Sequence, residues 1–327
     1  MTHGGFMSET NWHGKPYYSL DAWCKNTYQH KCYKIALNAH MTCPNRDGSL
    51  DTRGCIFCSA GGSGDFAVEL PAAGSVKEDI GSQLSAGIRL IEGKNPEAPL
   101  IIAYFQAYTN TYAPVPYLER IYTAALSSPG VCGISVATRP DCLPDEVIAL
   151  LIRLKEEFPG KFIWIELGLQ TIHEKTAAFI RRGYSLPCFE DAMLRLQKAN
   201  IPSIVHVILG LPGEAENDML KSVRYLNDFH PFGIKLQLLH VLEGTDLAIH
   251  YQNREFEVLT KEQYLDILIH CLENLSPDIV VHRVTGDGPK KILIAPAWSG
   301  NKRDVLNTLH RLMREKGSFQ GRLCTIK

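Results

Sequence analysis

Apolar runs alternate with helix-period segments along the 327-residue chain. Runs at Tyr33–Ala39, Leu100–Phe105, Val131–Ala137, Phe162–Leu169, Ser203–Leu209 and Gly233–Leu239 read as strands. Segments such as IIAY and FIWIEL lack strict alternation of apolar and polar positions, which is the pattern of strands covered on both faces. Amphipathic stretches lie between them. Ser75–Ile91 carries Val76, Ile80, Leu84, Ile88 and Ile91 at helical spacing, and Asp145–Phe158 follows Pro144, which suits a helix start. Pro187–Ala199 and Glu214–Phe229 repeat the pattern. Six strand–helix units in succession predict a parallel sheet with helices outside. Six fall short of the eight that close a TIM barrel, so the reading is a partial, open (β/α)6 barrel, ahead of a doubly wound sheet.

The rhythm changes at both ends. Residues 1–30 read as an N-terminal extension, 31–244 as the core, and 245–327 as a C-terminal extension. The last carries a helix (Lys261–Asn274), a short strand (Ile279–Arg283) and a final helix (Asn301–Lys316). With 45% hydrophobic and 21% charged residues, the composition is that of a globular protein. Apolar runs such as Pro99–Phe105 are too short to cross a bilayer. The polar and aromatic start, Met1–Tyr18, lacks the apolar core of a secretory signal, which predicts a cytoplasmic protein. A net charge of −1 confines any nucleic-acid site to a local basic patch.

Ten cysteines without an export signal predict reduced thiols rather than a disulfide framework. Cys24, Cys32, Cys132, Cys142, Cys188, Cys271 and Cys324 are scattered and read mostly as small buried hydrophobes. Cys43, Cys55 and Cys58 differ. They form C-x11-C-x2-C in a turn-rich loop after the first strand, at the end where parallel α/β folds build active sites. Three thiolates can hold three irons of a 4Fe–4S cubane and leave the fourth open, whereas a structural cluster normally takes four cysteines. The same residues with His40 also suit a structural zinc site.

Phe57, just before the last of these cysteines, matches the aromatic position of the radical S-adenosylmethionine (SAM) signature. The usual first gap is three residues, and the gap of eleven here departs from it. Together with YYSLDAWCKN, YKIALNAHMTCPNRDG, GCIFCS, ATRPDCL, ELGLQT, RRGY, HVILGLPGE, KLQLLHVLEGT and the APAW segment, it resembles the YhcC/YtqA family of radical SAM proteins. The resemblance implies a 4Fe–4S cluster on Cys43, Cys55 and Cys58 whose open iron chelates SAM, and reductive cleavage to a 5′-deoxyadenosyl radical. One branch of the family is implicated in tRNA wobble-uridine modification, converting 5-carboxymethylaminomethyl-uridine to 5-aminomethyl-uridine. The resemblance therefore implies tRNA as substrate, an electron donor such as flavodoxin or ferredoxin, and a downstream methyltransferase.

The same likeness marks cofactor contacts. Gly61, Gly62 and Ser63 resemble the element that binds the SAM amino group. Arg139 reads as closing the third strand and Glu166 and Gln170 as closing the fourth, and Gln170 and Arg182 look like the residues that hold the SAM ribose and carboxylate. Gly210 and Pro212 resemble the element near the adenine. Toward the C-terminus, Arg283, Lys290, Lys291 and Lys302 surround Trp298, a pattern suited to phosphates and a stacked base, or to a solvated helix start with a core Trp. Arg283 or Lys302 could instead pair with the substrate carboxylate. His206 and His240 sit in apolar strands, facing substrate or bonded in the core.

Overall fold

The computed structural model describes residues 12–62, 76–92, 99–286 and 288–325. Helix α1 (Leu20–Tyr28) precedes β1 (Cys32–Leu37). Then follow α2 (Val76–Glu92), β2 (Leu100–Phe105), α3 (Val115–Leu126), β3 (Val131–Thr138), α4 (Asp145–Glu157) and β4 (Phe162–Gln170). The next elements are α5 (Glu174–Phe179), α6 (Leu186–Lys198), β5 (Ser203–Leu209), α7 (Glu216–Asn227) and β6 (Gly233–Leu238). The chain ends through β7 (Val241–Leu242), α8 (Asp246–Gln252), α9 (Lys261–Asn274), β8 (Val280–Arg283), β9 (Leu293–Ala295) and α10 (Lys302–Glu315).

Seven strands pair in parallel in the order β1-β2-β3-β4-β5-β6-β8 and curl into a half-barrel. The expected barrel is present with one strand more than the sequence pattern gave its core. That strand, β8, comes from the segment read as a C-terminal extension. Strands β7 and β9 form a separate antiparallel ribbon. Helix α3 escaped the periodicity reading because its start, VPYLER, begins with a Pro-rich turn. Pro116 lies in its first turn, where the missing N–H costs nothing. Among the described residues no helix is long and apolar enough to cross a membrane.

Alternation within each strand divides the sheet. Ile163, Ile165 and Leu167 of β4, Val205 and Val207 of β5, and Ile234 and Leu236 of β6 belong to the main core against the helices. The opposite residues face the barrel lumen. At its lower end, the N-terminal ends of the strands, Ile102, Trp164 and Ile204 form a plug with Phe162 and Phe232. Helix α1 caps this plug with Trp23, whose ring lies 5.0 Å from Trp164, 5.7 Å from Phe162 and 5.3 Å from Phe232. Tyr18 O accepts from Val281 N–H at 2.7 Å, which ties the chain before α1 to β8. Three of the scattered cysteines, Cys24, Cys32 and Cys132, meet in this cluster, and the Cys132 thiol donates to Ile101 O (3.2 Å). Trp164 is 1% exposed and stacks on Phe162 at 3.8 Å. Trp164→Ala should cost about 3–5 kcal/mol in urea unfolding; a loss under about 1 kcal/mol would mean that the plug does not hold the barrel base.

Candidate active site

The cysteine loop leaves β1 at the upper end of the barrel. Cys43 O accepts from Arg46 and Asp47 N–H, and Pro44 O from Leu50 and Asp51 N–H, so the long gap is folded on itself. Asn45, 2% exposed, fastens it to the chain after β4. Its Nδ2 donates to Arg181 O (2.8 Å), to Arg182 O (3.3 Å) and to Cys55 Sγ (3.5 Å). Gly183 has φ +80°, and a Cβ there would fall 2.6 Å from Asn45 Oδ1. Arg46 donates to Cys58 O (2.8 Å) and Ser59 O (2.7 Å), closing the second half. Ile56, Ile180, Ile208, Leu239 and Val241 form an apolar cluster beside it, with Phe57 packed on its edge.

Cys43, Cys55 and Cys58 line one cavity of about 260 Å³ that runs down into the lumen. His40 does not join them. Its side chain is 54% exposed and its Nε2 lies 3.3 Å from Asp79, against the four-ligand zinc reading. Among the described residues no three His, Cys, Asp or Glu groups are arranged around a single ion.

Gly62 has φ +58° and packs so closely on Tyr108 that a Cβ would stand 2.3 Å from its ring. Tyr108 N–H donates to Gly62 O (2.9 Å) and its hydroxyl to Ala60 O (2.6 Å). Gly62 is thus held at the cavity edge with Gly61 beside it outside the lining, while Ser63 lies outside the described residues. Gln170 ends β4 at φ +67°, just past a register shift. Its Oε1 is buried without a hydrogen-bond partner, an unspent acceptor on the cavity wall. A Cβ on Gly168 would come within 2.8 Å of Gln170 Nε2 and 3.0 Å of Tyr184 Oη, so this glycine makes room for the Gln170 side chain.

The two arginines are spent largely on the protein itself. Arg182, 1% exposed, donates to Leu169 O, Thr171 O, Tyr184 O and Glu174. Arg139 forks onto Asp141 and donates to Arg182 O. Both line the cavity, and both brace the turn after β4. Gly210 (φ +88°) and Pro212 shape the turn after β5 but do not line the cavity; Ile208 does.

Glu166 is in mid-strand, not at the strand end where the sequence reading put it. It lies wholly buried in the lumen above the aromatic plug. Lys34 Nζ donates to its Oε1 (2.8 Å), as does Ser135 Oγ (2.5 Å). His206 Nε2 and Lys235 Nζ meet Oε2. Lys235 also donates to Tyr104 Oη at 2.9 Å. Neither lysine stood out in the sequence, because a lone lysine in an apolar strand is usually at an edge with its ammonium in water.

Of the five C-terminal candidates, Arg283 alone lines this cavity. Lys290 and Lys291 are exposed before β9. Lys302 borders a second cavity with Tyr17 and Leu306. Trp298 is partly buried: its Nε1 donates to Leu259 O (3.1 Å) and its ring packs on Tyr264 at the edge of the main core. His240 lines the cavity from the loop after β6.

The lumen charges set a pH dependence. Burial, and then the Lys235 charge, bring the His206 pKa down to about 4. Burial alone would raise Glu166, but Lys235 and Lys34 outweigh it and hold the carboxylate well below its ordinary range. The unfolded chain protonates its histidine near about 6.5, so the stability tied to neutral His206 is complete above that pH and is lost on acidification toward about 4. The Glu166 contribution is lost at lower pH still. Urea midpoints should therefore fall from pH 7 to about 5, and His206→Gln should flatten that slope. An unchanged slope in the variant would assign the effect elsewhere.

Residues 52–226 match the Radical SAM superfamily and residues 231–315 match the Radical_SAM C-terminal domain. The chain is 40% identical to the uncharacterized protein YtqA of Bacillus subtilis over 308 residues, covering 94% of this chain and 92% of that one. It is 24% identical over 188 residues to the tRNA uridine(34) acetyltransferase of Methanocaldococcus infernus, covering 56% of this chain and 33% of the relative. The fold superposes on the solved structure of Elp3 from Methanocaldococcus infernus with a TM-score of 0.65 at 17% identity, over 88% of this chain and 64% of that one. The match of one superfamily through both the strand–helix core and the C-terminal part makes the chain a radical SAM enzyme of the YhcC/YtqA family, in a superfamily that binds a 4Fe–4S cluster and SAM.

Proposed function

We propose that Cys43, Cys55 and Cys58 hold the cluster and that the enzyme acts on tRNA, converting wobble 5-carboxymethylaminomethyl-uridine to 5-aminomethyl-uridine. The observation that carries this reading is the single cavity walled by all three thiols at its upper end and by polar lumen residues below. Three thiols, with no fourth protein ligand among the described residues, fit a cubane with one open iron. The orphaned Gln170 Oε1 on the same wall fits a ligand that brings hydroxyl groups, as the SAM ribose does. Likeness to an enzyme named for tRNA uridine(34) supports the nucleic-acid substrate.

When bound, the cluster and SAM supply a 5′-deoxyadenosyl radical that takes a hydrogen atom from substrate. The chain positions and shields. Asn45 and Arg46 hold the cysteine loop rigid against the turn after β4. The Gly61–Gly62 backbone offers close approach for the SAM amino group, and Gln170 accepts from the ribose. Arg139 and Arg182 keep that turn in place, and Arg182 would offer its remaining N–H to the SAM carboxylate. Ile56, Ile180, Ile208 and Leu239 exclude water beside the site. Exposed Lys290 and Lys291 meet tRNA phosphates, and Lys302 serves the same backbone further out. Core residues 31–244 carry the radical chemistry and 245–327 the substrate contacts, in a cytoplasmic enzyme fed by flavodoxin or ferredoxin. A methyltransferase acting next would take the primary amine as its substrate.

Anaerobic reconstitution should give iron and sulfide near about four each per chain. Cys55→Ala should lose both, and with them 5′-deoxyadenosine formation; tetrahedral zinc in the wild type would end the reading. Incubation with SAM, reductant and tRNA bearing the carboxymethylaminomethyl group should yield 5-aminomethyl-uridine by nucleoside mass spectrometry. Formation of 5′-deoxyadenosine without saturable tRNA binding at low salt would move the substrate to a small molecule or protein. Gly168→Ala should weaken SAM binding about tenfold by displacing Gln170, with the urea midpoint little changed; an unaltered SAM affinity would remove Gln170 from the ligand set.

A further inference from the structure

The lumen layer holds two lysine amines against one carboxylate. Glu166 is fully buried, and both its oxygens are occupied by donors from Lys34, Ser135, His206 and Lys235. It is the sole acidic residue among the described residues that line the cavity. One carboxylate therefore serves two lysine amines, and a buried ammonium is costly unless an anion matches it. The two lysines differ. The Lys34 side chain is 21% exposed and stands outside the cavity lining, whereas that of Lys235 is 3% exposed and forms part of it. Lys235 donates to Glu166 and to Tyr104 Oη, and the third N–H of its protonated form has no hydrogen-bond acceptor among the described residues. Burial and the charges of Lys34 and Arg283 push its pKa well below the ordinary lysine value, while Glu166 pulls the other way. A second anion beside Lys235 would favour the protonated amine and satisfy its spare donor together.

We propose that Lys235, with Arg283 on the same cavity wall, forms a subsite for a carboxylate of the substrate. This rests on the tRNA reading, in which the uridine side chain ends in a carboxymethyl group. Its carboxylate is then anchored in the lumen layer, and the adjoining methylene stands between that anchor and the cysteine end of the cavity. The subsite selects against uridines whose side chain ends without an anion, because Lys235 would be left with its donor unmet.

The test compares two anticodon stem-loops on the anaerobically reconstituted protein without reductant, one bearing 5-carboxymethylaminomethyl-uridine and one its neutral carboxamide. Fluorescence anisotropy should show the wild type binding the carboxylate form about tenfold or more tightly than the carboxamide. Lys235→Met should bring the ratio within about twofold. Lys235→Gln, which keeps a hydrogen bond to Glu166 without the charge, should do the same and guards against a folding defect in the first variant. A wild-type ratio near one, or a ratio retained in both variants, overturns the subsite. Ligand-observed NMR with sarcosine and its amide, small mimics of the side chain, supplies a readout independent of tRNA. Sarcosine alone should bind, and Lys235→Met should abolish it. Stem-loops that fail to bind the wild type would defeat the tRNA reading; sarcosine binding would then sustain the carboxylate subsite, and no sarcosine binding would defeat it too.

Discussion

A carboxylate without access to water holds the barrel lumen together. Glu166 takes donors from β1, β3, β5 and β6 at once, so strands far apart in sequence converge on two oxygen atoms. Each donor offsets part of the desolvation of the charge, and each oxygen is met by two of them. The half-barrel is thereby layered: aromatic below, ionic in the middle, and open to cofactor chemistry above. The middle layer fixes the spacing of strands whose upper ends carry the functional loops.

The cysteine loop depends on a second long-range tie. Its eleven-residue gap has no regular structure to stiffen it, and Asn45 does that work by reaching carbonyls more than a hundred residues away. Those carbonyls are held by Arg139 and Arg182, which in turn are held by the end of β4. Thiols, glutamine and arginines are therefore one mechanical unit, although they come from separate βα connections.

What could be read in the sequence follows from range. The strands of the core fell within a residue or two of their observed bounds, because apolar runs and their punctuation are local signals. The grouping of Cys43, Cys55 and Cys58 was likewise local. Glu166 was placed at a strand end because its run is apolar on both faces, and periodicity then cannot say which residues face the lumen. Lys34, Lys235, Asn45 and Gly168 stayed unread, since the partners that give each its meaning lie on other strands or across a register shift. Trp298 read either as a stacking surface beside basic residues or as a core side chain; that its indole N–H finds Leu259 O is visible only in the packing.

The meeting of Cys24, Cys32 and Cys132 under the aromatic plug has a bearing on the chemistry above it. Sulfur-bound hydrogen is surrendered readily to a carbon-centred radical, so a thiol within reach would quench the intended reaction. Here the three spare thiols are walled off by Trp164, Phe162 and Ile204 and by the ionic layer over them. The cavity presents no sulfur except that of Cys43, Cys55 and Cys58 among its described residues. Thinning the plug would therefore expose a sacrificial hydrogen source to the reaction chamber, and the enzyme would consume itself in place of its substrate.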